Sequence, residues 1–136
     1  CIRDSYASAC DYDYNPDKLA PLFAPDAIWD GSILGYAESR DGIREFFAAA
    51  SSLVPFAVHQ VSNPLIEVDG DTATGEWFLW QPMVFQGQAL WLSAVYADKY
   101  VRVDSQWLYQ HLKLNIRMLT PFEEGPAKVR IIDVDL

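Results

Sequence analysis

The sequence predicts an α+β fold: three N-terminal helices packed on a curved, mainly antiparallel sheet as a cone-shaped α+β barrel. Two observations predict it. Before Pro55, apolar residues recur at helical spacing; after Pro55, they alternate with polar residues at period two. Turn signals at Asp69-Gly70-Asp71 and Asp104-Ser105 join the long alternating segments into a meander. Helices followed by a run of antiparallel strands is the α+β order, and a strongly curved sheet beneath three helices leaves room for a small ligand.

Each element follows from local chemistry. Ile2, Tyr6 and Ala9/Cys10 share one face of a helix expected over Ile2–Tyr14, which Asn15-Pro16 stops. Asn15 is placed to cap a short second helix, with Pro16 at its first position and Asp17 in its first turn. Leu19, Leu22 and Phe23 form that helix's apolar stripe. Ala27-Ile28-Trp29 reads as a short strand, and a third helix over 41–50 carries Ile43, Phe46, Phe47 and Ala50 on one side. Strands are expected over 56–68, 72–85, 88–103 and 106–119. In the last of these, Leu108, Leu112, Leu114, Ile116 and Met118 would form the inner face and His111 would lie outside. Alternation sends Trp77 and Trp80 to opposite faces of one strand. Aromatic area is therefore expected on the face that the helices leave open, where one domain rarely leaves it wet. The alternating tail Val129–Leu136 reads as an extra strand. These features predict a homodimer or homotrimer whose interface includes Trp80 or Trp91.

Composition narrows the function. The chain has 136 residues, one domain's worth, with 51% hydrophobic and 21% charged residues, a globular balance. Ten Lys and Arg stand against 19 Asp and Glu, a net charge of −9, which argues against nucleic acid or an anionic membrane as partner. Two cysteines make neither a disulfide framework nor a zinc site. No apolar run reaches the roughly 18 residues of a membrane span, and no signal-peptide layout opens the chain. The expectation is a cytoplasmic protein, and a start at Cys1 without Met suggests a longer parent chain. Dinucleotide, phosphate-loop, zincin and nucleophile-elbow motifs are all missing. The reading is therefore no cofactor and no metal, with chemistry carried by side chains alone on a small apolar or aromatic molecule.

The histidines are His59 and His111. His59 lies on an apolar strand with Ala57, Val61 and Asn63, where a satisfied core histidine is the plain interpretation. Asp13 changes this. At 100° per residue it falls on the buried stripe of the first helix, whereas Asp11 falls on the solvated side. A carboxylate turned inward needs a partner, and a histidine on the facing sheet supplies one. Imidazole then takes and returns a proton near neutral pH, while the carboxylate fixes its tautomer.

The segments D-K-L-A-P-L-F-A-P-D-A-I-W-D, D-G-I-R-E-F-F, I-E-V-D-G-D-T-A-T-G, Y-A-D-K-Y-V-R-V-D-S-Q-W and L-T-P-F resemble the SnoaL-like family, in the superfamily with the cone fold of nuclear transport factor 2. The resemblance covers residues 4–124 and is specific for fold but not for reaction. Scytalone dehydratase, a relative, carries a Tyr-Asp pair late in its first helix and a histidine eight residues before a glutamate. Here Tyr12-Asp13 match the pair, and His59 stands eight residues before Glu67. Hexachlorocyclohexane dehydrochlorinase similarly pairs a first-helix Asp with a strand His. The spacing from Asp13 to Leu19 differs by one residue from both relatives, which leaves Asp11 as the alternative partner. The likeness implies a cavity lined by Trp29, Leu79, Leu92, Ala94 and Tyr96, with catalytic residues His59, Asp13 and Tyr12.

The expected function is a cofactor-independent lyase acting on a small apolar ring. His59 would remove a proton, Asp13 would orient His59, and Tyr12 or Tyr96 would donate to a substrate oxygen. The cavity is expected to hold a few hundred Å³. An isomerase using the same proton shuttle is the near alternative. A non-catalytic subunit, like the small subunit of ring-hydroxylating dioxygenases, is the alternative of another class.

Overall fold

The computed structural model describes residues 1–136. Helix α1 (Ile2–Asp11) leads to a single-turn α2 (Pro16–Leu19) and a 3-10 turn at Ala20–Leu22. Strand β1 (Phe23–Asp30), a 3-10 turn at Ser32–Leu34, β2 (Tyr36–Glu38) and α3 (Ser39–Leu53) follow. The second half consists of β3 (Phe56–Ala57), β4 (Gln60–Asp69), β5 (Thr72–Phe85), β6 (Gln88–Val103) and β7 (Gln106–Pro121). The sheet order is β2-β1-β7-β6-β5, with β3 and β4 both pairing with β5. Every pairing is antiparallel except β1 with β7, so the sheet is mixed and mostly antiparallel, as an α+β cone requires. No helix is long and apolar enough to cross a membrane.

Local chemistry acts largely as expected. The Asn15 side chain accepts from the Asp17 N–H at 2.9 Å, with Pro16 opening the helix behind it. On β5 and β6 the alternation is unbroken: Trp77, Leu79, Gln81 and Met83 face inward, as do Leu92, Ala94, Tyr96, Asp98 and Tyr100. Together with Leu19, Phe23, Ile43, Phe47 and Tyr109 they build the core under the helices.

Four expectations need correction. Helix α1 ends at Asp11, because Tyr12 leaves helical geometry and Asp13 and Tyr14 take positive φ angles of 72° and 49°. The strand expected over 56–68 breaks into β3 and β4, with Val58 and His59 between them. On β7, register shifts opposite Ser93/Ala94 and Lys99/Tyr100 insert one extra residue each, Arg117 and Gln110. These bulges bend the strand, bring Tyr109 to the inner face beside Leu112 and Leu114, and turn Leu108 and Met118 outward. The tail forms no strand and keeps one parallel bridge, Ile131 to Leu119.

The outer face of the sheet is aromatic. Trp80 and Trp91 meet edge to face at 5.4 Å, Trp91 meets Phe122 at 5.2 Å, and Phe78 is 47% exposed.

Gly35 occupies a turn that only glycine fits. Its φ is +136°, and a Cβ there would stand 2.5 Å from the Phe46 ring. Gly35→Ala should therefore destabilise the fold by about 2–3 kcal/mol, through both strain and overpacking. Thermal melting should register this as a drop of about 10 °C.

Candidate active site

The site is set by where α1 stops. An acidic residue in the last turn of a helix opposes the helix dipole, so Asp11 gains nothing from its own helix. It is held instead by the sheet. Its Oδ1 accepts the backbone N–H of His59 at 2.8 Å and lies 2.6 Å from His59 Nδ1. The break between β3 and β4 makes this possible, because His59 N–H, no longer committed to the β5 ladder, is free to turn to α1. The His59 side chain is 4% exposed and that of Asp11 28%. With a carboxylate against Nδ1, the proton resides there and Nε2 is left as the basic nitrogen.

Asp13 is not the partner of His59. It lies past the helix end, exposed, in the left-handed turn that reverses the chain. The helical wheel that turned it inward was extended two residues beyond the real helix. Tyr12 falls to the same cause: it is 73% exposed and stands away from the cavity wall. The reversal buries Tyr14 instead. Its ring stacks on Phe47 at 6.0 Å and meets the His59 ring edge to face at 6.0 Å.

A cavity of about 170 Å³, smaller than expected, opens beside His59. Aromatic and aliphatic side chains from α1, β1, α3 and the inner sheet line it, among them Tyr6, Trp29, Phe46, Met83 and Leu112. Of the expected lining residues, Trp29, Leu92 and Tyr96 are in the wall. Leu79 and Ala94 are not: they pair across β5 and β6, each 2% exposed, on the correct face but clear of the cavity. Alternation fixes the face of a strand residue, not its depth along the cone. Trp29 is fixed by its Nε1–H, which donates to the Tyr6 hydroxyl at 2.9 Å, and by Gly31, where a Cβ would come within 2.3 Å of the indole.

Polar groups in the wall are few. Besides His59 there are Gln81 and the tyrosine hydroxyls, with Gln81 beside Tyr14. Burial raises the pKa values of Tyr6, Tyr14 and Tyr96, so all three stand as neutral phenols able to donate. Sequence reasoning missed Tyr14 and Gln81. Gln81 carried a signal, since it sits at an inward position of β5 where a polar side chain needs a reason.

Residues 2–113 match the family model described as a SnoaL-like domain, and the chain belongs to that family. An uncharacterized protein of Mycobacterium tuberculosis H37Rv is 34% identical over 106 residues, which span 75% of this chain and 71% of that protein. Two solved structures share the fold. A scytalone dehydratase-like protein from Novosphingobium aromaticivorans DSM 12444 is similar at a TM-score of 0.80 with 22% identity, covering 89% of this chain and 83% of that one. The type-3 hexachlorocyclohexane dehydrochlorinase of Novosphingobium barchaimii LL02 is similar at a TM-score of 0.78 with 20% identity, covering 96% of this chain and 89% of that one.

Asp11→Ala leaves the His59 backbone N–H and ring without their acceptor, at a cost of about 1–3 kcal/mol. Asp13→Ala, on the surface, should stay within about 0.5 kcal/mol of the parent. Urea unfolding of the two variants separates the assignments directly.

Proposed function

We propose that the protein is a cofactor-independent lyase that eliminates water, or a comparable leaving group, from a small apolar ring that carries a carbonyl and, on the carbon two positions away, the leaving group. The observation that carries this reading is the Asp11–His59 contact at the wall of an apolar cavity. His59 Nε2 removes a proton from the carbon next to a carbonyl. The C–H electrons pass into the enolate, whose oxygen is met by tyrosine hydroxyls, with Tyr96 and Tyr14 in the wall. Re-formation of the carbonyl expels hydroxide from the adjacent carbon, and the imidazolium returns its proton to it as water. Asp11 stabilises the imidazolium in between. Elimination is also what the names of the two structural relatives describe.

The cavity volume favours a single ring, since an engineered apolar cavity of about 150 Å³ takes benzene. A test substrate of that size is 3-hydroxycyclohexanone, whose dehydration yields 2-cyclohexenone with a new enone absorbance. The parent protein should accelerate it, and His59→Gln should cut the rate by about 10²–10⁴-fold, with Asp11→Asn between the two. Turnover unaffected by His59→Gln would refute the mechanism. Conversion of 3-cyclohexenone to 2-cyclohexenone without dehydration would instead identify the isomerase that the same shuttle permits.

We also propose that the chain works as a homodimer or homotrimer through the outer sheet face, on the support of the Trp80, Trp91 and Phe122 cluster. Burying one such ring contributes several kcal/mol at about 25 cal/mol per Å². Sedimentation should give two or three times the 15.4 kDa of the chain, falling to the single mass in Trp80→Glu.

A further inference from the structure

The elimination chemistry leaves one buried charged group unused. Arg3, in the first turn of α1, is 0% exposed, and its Nη2 donates to Asp98 Oδ2 on β6, which is also fully buried. The guanidinium carbon lies 3.6 Å over the centre of the Tyr96 ring, with Tyr109 at 5.0 Å and Tyr6 at 5.1 Å. Nε and Nη1 find no oxygen acceptor, so these N–H groups are left against the tyrosine rings. Tyr100 closes the other side, donating its hydroxyl to Asp98 Oδ2 at 2.8 Å and accepting from Trp77 Nε1 at 3.0 Å.

Tyr6 and Tyr96 are wall residues of the cavity, whereas Arg3 is not. The cation therefore stands behind the phenols, separated from any ligand by the thickness of a ring. Resting on the reading that the cavity holds a ring with an oxygen function, we propose that Arg3 is a positioning residue for substrate oxygen. Its charge, held over the Tyr96 ring by Asp98, polarises that phenol so that the hydroxyl binds a negatively charged oxygen more strongly than a neutral one.

Three further points support this. A cation on the face of an aromatic ring draws electron density from it, which strengthens the hydroxyl as a donor. At Tyr96 the Arg3 charge acts in that direction, against the burial that raises the phenol's pKa. The same arrangement denies the cavity a cation of its own, so a carboxylate substrate finds no ion pair, whereas an enolate-like oxygen finds a sharpened donor.

The test needs two ring probes of equal size, 4-nitrophenolate and 4-nitrotoluene, bound to the intact protein at a pH where the phenol is ionised. The ratio of their affinities reports the field behind Tyr96 and cancels general packing. Arg3→Met/Asp98→Asn removes both charges and should lower the preference for the phenolate by about tenfold. Asp98→Asn alone keeps the guanidinium without its counter-charge and should raise the preference several-fold. Opposite movements of the ratio in the two variants support the proposal. A ratio constant within twofold, or a parallel loss of both probes, makes Arg3 a packing residue and overturns it while leaving the His59 chemistry standing. Failure of the parent protein to bind either probe overturns the proposal together with the cavity reading beneath it.

Discussion

Helix α1 is fixed to the sheet by two charge contacts, Arg3 with Asp98 near its start and Asp11 with His59 at its end. Eight residues separate them, about 12 Å along the axis. Between them α1 presents Tyr6, Ala9 and Cys10 to the core. A helix held only by apolar contacts can slide or rotate against a sheet at small cost. Two polar contacts, one to β6 and one to the gap between β3 and β4, permit one register. The buried pair adds little net stability, because desolvation of both charges offsets most of their attraction. What it adds is placement: removing one partner strands the other in the core, so alternative dockings of α1 are strongly disfavoured. The position of the carboxylate beside His59, and with it the proposed chemistry, depends on this constraint.

The sheet answers the same requirement from the other side. β5 and β6 alternate without interruption for their whole length, which makes them a rigid wall. Departures from regularity occur where curvature or a side chain is needed: two bulges on β7, the gap before β4, and the positive φ at Asn63 within β4. The gap releases the His59 backbone from the ladder. The cavity then persists because aromatic rings from α3 and β1 brace one another around it, with Trp29, Phe46 and Phe47 in mutual contact at 4.6 to 5.5 Å. Stiff rings meeting edge to face leave a gap that flexible aliphatic chains would fill.

Much of this was legible in the sequence. Periodicity identified the three helices and four of the strands, and the inward histidine followed from alternation. The partner of His59 did not, because the wheel assumed that the helix runs to Tyr14. Nothing in Tyr12-Asp13-Tyr14 marks a helix end, since the residue that favours one, Asn15, caps the next helix instead. Depth along the cone was equally hidden, and the likeness to relatives placed Leu79 and Ala94 at a cavity they do not reach. Arg3 and Asp98 were overlooked although both carry a pattern. Arg3 falls one turn before Tyr6 and two before Cys10, on the apolar stripe, and Asp98 alternates with Tyr96 and Tyr100 on the inner face. A cation and an anion each at a core position are most simply satisfied by one another.

The two pairs divide the electrostatic work of the proposed elimination. Proton transfer inside an apolar cavity creates an imidazolium and an oxyanion together, and in a low dielectric neither survives unless charge or dipoles already face it. On the imidazolium side the charge is the Asp11 carboxylate, against His59 Nδ1 and partly open to water. On the oxyanion side the cavity offers neutral phenols, and a cation in direct contact would serve less well there. It would bind anionic molecules in the ground state and hold the product oxygen as firmly as the intermediate. A phenol backed by a paired guanidinium responds mainly when negative charge develops in front of it. Binding that strengthens only at the intermediate is what raises a rate, and it is the reason to set the charge behind the ring.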